Sequence, residues 1–167
     1  MSEQPDTEFT QQDADAAVEN LIGLWKSGGT LAQAMGITAQ ECEAMYAHGH
    51  SLYAQGKYND AFKIFAQLVS YDHMDSRYQL ALASAMQITR RYEEALQQYV
   101  VVTVMRVDDP IPVFHSAECL LALGRPQEAR ESLELIIESM CKPGEHDAVK
   151  ARSEALLKAI NAKTQEK

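Results

Sequence analysis

Histidine and cysteine are the side chains in this sequence best suited to chemistry near neutral pH, and their spacing decides whether they can act together. His48 and His50 stand two residues apart; on a helix that separation sends them to different faces, so they cannot chelate one metal as an i, i+4 pair would. His73 follows Asp72 and precedes Asp75, and reads as a structural or peptide-contacting residue. His115 precedes Glu118 by three positions and Cys119 by four, a spacing that would allow a thiol–imidazole pair on one helix face. Nucleophilic catalysis also needs a third group that orients the base, and none is identifiable. Nucleophile elbow, Walker loop, H-E-x-x-H and glycine-rich phosphate motifs are all missing. Cys42, Cys119 and Cys141 are an odd number without a C-x-x-C pair, which suits small helix-borne residues in a reduced cytoplasm. The expectation is a binding protein and not an enzyme, with no catalytic residue, cofactor or metal.

The elements that would position a binding surface follow from a repeat. Ala61, Ala95 and Ala129 recur at one fixed interval, preceded by Asp60, Glu94 and Glu128 and followed four positions later by Phe65, Tyr99 and Leu133. Gly49, Ala83 and Ala117 keep the same interval, with Leu52, Met86 and Leu120 three positions on. Small and large apolar residues at a period of about 34 are the signature of tetratricopeptide repeats, each a pair of antiparallel helices. Stacked pairs form a solenoid whose first helices line a concave surface. The inner positions are then Glu43, Tyr46, His50 and Tyr53; Arg77, Leu80, Ser84 and Gln87; and Ile111, Phe114, Glu118 and Leu121. Tyrosine, leucine and phenylalanine mixed with polar donors suit an extended peptide that needs both pockets and main-chain hydrogen bonds.

The expected fold is all-α, with three helix–turn–helix repeats at residues 42–75, 76–109 and 110–143. Turns fall at Gln55–Lys57, Thr89–Arg91 and Leu123–Arg125, where Arg90 stands in place of the glycine found at 56 and 124. Pro110 and Pro112 fit the first turn of a helix. Residues 1–9 are polar and read as a disordered tail. Residues 10–41 read as an N-terminal helical cap or self-association region, in which Thr30 caps a short helix and Thr38 with Glu41 forms a capping box. Residues 144–167 read as a C-terminal capping helix and tail. The net charge of −9 argues against nucleic acid and anionic membranes as partners. An acidic N-terminus and the lack of any long apolar run give no sign of a secretory signal or membrane insertion.

From about Trp25 to Leu123 the sequence resembles the LcrH/SycD-like class II chaperones of bacterial type III secretion. The resemblance is carried by Gly28-Gly29-Thr30-Leu31, Met45-Tyr46-Ala47-His48-Gly49 and Tyr53-Ala54-Gln55-Gly56-Lys57-Tyr58-Asn59-Asp60-Ala61. More specific are Tyr71-Asp72-His73-Met74-Asp75-Ser76-Arg77-Tyr78 and Phe114-His115-Ser116-Ala117-Glu118-Cys119. It implies a cytoplasmic bacterial chaperone, not an enzyme, that keeps two hydrophobic translocator proteins soluble, separate and secretion-competent. It also implies a homodimer formed through the N-terminal region, with Leu21, Leu24 and Trp25 as candidate contacts, and in some members a regulatory protein partner. Transferred by position, the groove aromatics are Tyr46, Tyr53, Tyr58, Phe65 and Tyr99, with His50 where relatives commonly carry an aromatic ring. A generic tetratricopeptide scaffold, or a regulatory subunit holding a transcriptional activator, is the alternative that the residues leave open.

Overall fold

The computed structural model describes residues 10–165, with the expected tail at 1–9 and the side chains of Leu21 and Trp25 outside the described residues. The described residues are helical and contain no strand. An N-terminal helix α1 (Gln11–Lys26) and a single turn α2 (Leu31–Ala34) precede three antiparallel pairs: α3 (Ala39–Ala54) with α4 (Tyr58–Tyr71), α5 (Ser76–Ile88) with α6 (Tyr92–Met105), and α7 (Pro110–Ala122) with α8 (Pro126–Leu135). A π-helical turn, Ile136–Met140, prolongs α8, and α9 (Asp147–Gln165) packs back on α7 and α8.

Local sequence sets the boundaries. Thr38 Oγ1 accepts from Glu41 N at 3.2 Å while Glu41 Oε2 accepts from Thr38 N at 2.8 Å, so both orphan donors at the start of α3 are satisfied. Thr30 and Gln33 make the same reciprocal cap on α2. Asp75 and Asp109 cap α5 and α7 through the amides of Arg77 and Ile111, and Pro110 opens α7, where its missing N–H has no intrahelical partner to lose. The turn inside each pair needs one left-handed residue: Gly56 at φ 76°, Arg90 at φ 64° and Gly124 at φ 73°. The repeat interval is thus kept by the backbone even where the side chain changes.

The periodic residues are the core. Ala61, Ala95, Ala129, Ala83 and Ala117 are fully buried, together with Tyr99 and Leu133. Gly49 lets α3 touch α4, since a Cβ there would lie 2.6 Å from the Phe65 ring. One cluster, built on Phe65, Leu68, Leu82 and Tyr99, spans α2 to α6 and takes in Cys119 of α7; a second, built on Phe114, Leu120, Leu133, Ile136 and Ile160, joins α7, α8 and α9. Leu96 packs against both, so the solenoid is continuous. By covering the last pair, α9 spares it an exposed stacking face.

Candidate functional site

Helices α3, α5 and α7 run side by side and carry the predicted inner positions. The common repeat interval brings Tyr46 and His50, Leu80 and Ser84, and Phe114 and Glu118 into matching registers. The first two registers enclose a cavity of about 200 Å³ lined by Tyr46, His50, Tyr53, Phe65, Arg77, Leu80, Ala81 and Ser84. A cavity of that size suits a single side chain. A second cavity of about 510 Å³ follows, lined by Tyr53, Ser84, Gln87, Ile88, Arg90, Tyr92, Tyr99, His115, Glu118 and Ala122. Tyr53 and Ser84 belong to both, which makes the two a single groove.

The first cavity is walled by aromatic rings in fixed contact. His50 sits edge-on to Tyr46 with centroids 4.5 Å apart and lies 5.2 Å from Phe65, taking the place of an aromatic ring in this cluster. Tyr58 does not line either cavity; it packs edge-to-face behind Tyr53 at 5.0 Å and holds that ring in position. Arg77 forms the lip. Its guanidinium donates to Glu43 Oε1 at 2.7 Å and Asp75 Oδ2 at 2.6 Å and stands 5.5 Å from the Tyr46 ring centroid, which ties α3 to α5 at the cavity mouth.

The second cavity is polar. Tyr99 donates its hydroxyl to Gln87 Oε1 at 2.6 Å, Gln87 Nε2 donates to Glu118 Oε2 at 3.0 Å, and His115 Nδ1 bonds the same oxygen at 2.8 Å. Burial works against ionisation of Glu118, but the bonds from His115 and Gln87 and the nearby Arg152 outweigh it and hold the carboxyl below its usual range. The His115 nitrogen is thereby committed to Glu118. Burial, reinforced by the Glu118 charge, pushes the Cys119 thiol up to about 12, so it is no activated nucleophile at neutral pH.

Three expected contact residues sit deeper than the pattern implied. Phe65 is 1% exposed and Tyr99 0%, because each comes from an outer helix and reaches the groove only as its floor. Phe114 is 3% exposed and lines neither cavity, because the Arg152 guanidinium of α9 lies over its ring at 4.3 Å. Arg152 and Ile88 were not singled out by the sequence; Arg152 lies on a helix outside the repeat period and carries no periodic signal. In α1, Leu24 packs on the backbone of Gly29, while Val18 and Ile22 remain exposed.

Comparison with known proteins places this architecture. Tetratricopeptide repeat families match residues 43–75 and 113–139. Low calcium response locus protein H of Yersinia pestis is 34% identical over 152 residues, covering 91% of this chain and 89% of its own. The type III secretion translocator chaperone SycD of Yersinia enterocolitica superposes with a TM-score of 0.72 at 35% identity, over 78% of this chain and 98% of its own. A structure of that chaperone with a peptide of the translocator YopD superposes with a TM-score of 0.71 at 35% identity, over 77% of this chain and 98% of its own.

Proposed function

This chain belongs to the LcrH/SycD-like family of type III secretion translocator chaperones, and from that membership we propose that it holds an extended segment of hydrophobic translocator proteins in the groove across α3, α5 and α7. The observation that carries the reading is the aromatic cavity of Tyr46, His50, Tyr53 and Leu80, continuous with a polar cavity that offers Ser84, Gln87 and Glu118 to a main chain. The relative SycD has been solved with a translocator peptide bound. An apolar side chain entering the first cavity loses contact with water, while the neighbouring polar groups satisfy the backbone that comes with it. Retention needs no nucleotide and no covalent step. The protein acts in the cytoplasm, as a homodimer formed through α1, where Leu21, Leu24 and Trp25 are the proposed contacts. Its acidic surface keeps the loaded complex dissolved.

The test is co-expression with a translocator carrying paired hydrophobic segments, followed by measurement of soluble co-purification. Tyr53→Ala with Leu80→Ala removes two cavity walls that are only half-buried, so the fold should survive. Loss of two groove anchors should weaken capture by about 2–4 kcal/mol, or at least about thirty-fold. Undiminished capture by the double variant would refute the groove assignment.

A further inference from the structure

The registers of the groove are not equally open. Tyr46 and His50 on α3, and Leu80 and Ser84 on α5, all face the first cavity. Their counterparts one repeat on are Phe114 and Glu118, and there the space is filled from within the chain. Arg152 of α9 lays its guanidinium 4.3 Å above the Phe114 ring and brings Nη2 to 3.5 Å from Glu118 Oε1. An aromatic face beside a carboxylate is a receptor for a cationic side chain, and Arg152 shows one seated in it.

We propose that Phe114 and Glu118 form a third subsite of the groove that takes a basic side chain of the client, and that Arg152 occupies this subsite until the client's own arginine or lysine displaces it. The inference rests on the reading of the groove as the client-binding surface, but the subsite itself is defined by the chain alone. Its carboxylate is prepared for a cation: Gln87 and His115 fix Glu118 Oε2, leaving Oε1 directed at the incoming charge. The internal occupant is displaceable. Arg152 is 56% exposed, its ion pair is long at 3.5 Å, and pairs of that kind contribute little net stability. Glu118 also lines the second cavity, so a chain lying there passes directly beside the subsite. A client would thus be read by an apolar anchor at the Tyr53 end and a positive charge at the Glu118 end, two tests that a merely hydrophobic peptide fails.

The experiment titrates the uniformly 15N-labelled full chain with acetyl-argininamide and, separately, with acetyl-citrullinamide, which has the same shape without the charge. In Arg152→Ala, the amides of Phe114 and Glu118 should shift saturably at millimolar acetyl-argininamide. The wild type should need about ten-fold more, as expected if Arg152 is seated about nine-tenths of the time. Citrulline should saturate neither protein, and Glu118→Gln added to Arg152→Ala should abolish the arginine response. Equal responses to arginine and citrulline, or equal affinities in wild type and Arg152→Ala, would overturn the proposal. Should Arg152→Ala lose the native spectrum, Arg152→Gln keeps the aliphatic stem and is read by the same outcomes. Because no client is present, failure here leaves translocator capture to be judged on its own.

Discussion

Phe65 and Tyr53 show how differently two aromatic residues of one groove behave. Tyr53 is half-buried and backed by Tyr58, whereas Phe65 is enclosed against Gly49 and forms the floor. Phe65→Ala should therefore cost about 3–5 kcal/mol of stability by leaving a cavity, so any loss of binding in it would be confounded by unfolding. Tyr53→Ala should leave the urea midpoint much nearer that of the wild type. Glu118 gives a second prediction. Its folded pKa is depressed, so the stability it confers is fully present above the unfolded carboxylate's value near about 4.3 and is lost as the pH falls through the lower folded value. Urea unfolding should show wild type more stable than Glu118→Gln at pH 7, with the gap closing towards pH 3. A constant gap would mean that Glu118 acts through packing alone. At this scale the repeat register predicts which residues face inward but carries no signal of their depth. Whether Phe114 is open or covered depends on Arg152, which belongs to α9 and lies outside the repeat.

The helices carry their own instructions, and most were readable. Capping residues at Thr30 and Thr38, prolines at the start of α7 and left-handed turn residues at a fixed interval all appear where the spacing placed them. Arg90 is the informative exception. A non-glycine residue at φ 64° carries backbone strain of about 1 kcal/mol, and Arg90→Gly relieves it. The variant should melt about 2–4 °C higher by calorimetry. An unchanged or lower melting temperature would show that contacts of the arginine side chain at the second cavity offset the strain. The π-helical turn at Ile136–Met140 was not legible, since no single residue type marks the change of hydrogen-bond register that ends α8.

Across the described residues, three helix pairs and a terminal helix build a continuous core; the repeat period was enough to anticipate the three pairs, while α9 lies outside it. Composition and charge could narrow the role to binding, but only the resemblance named a client class. The path of α9 was hidden because its apolar residues mark a buried stripe without saying which part of the solenoid it crosses. That path makes the groove polar and partly self-occupied at one end and aromatic and open at the other. The outer face differs again: Val104 on α6 is 74% exposed, so exposure of an apolar side chain by itself points to that face, whereas the proposed client site is the groove.

Site-specific photo-crosslinking decides between these faces. A benzophenone amino acid is placed at Tyr53 or at Val104, and each protein is co-expressed with a translocator and irradiated. A crosslinked chaperone–translocator adduct is expected from position 53, mapping to a short extended segment of the client, and little from position 104. Adducts from position 104 with none from position 53 would contradict the groove assignment.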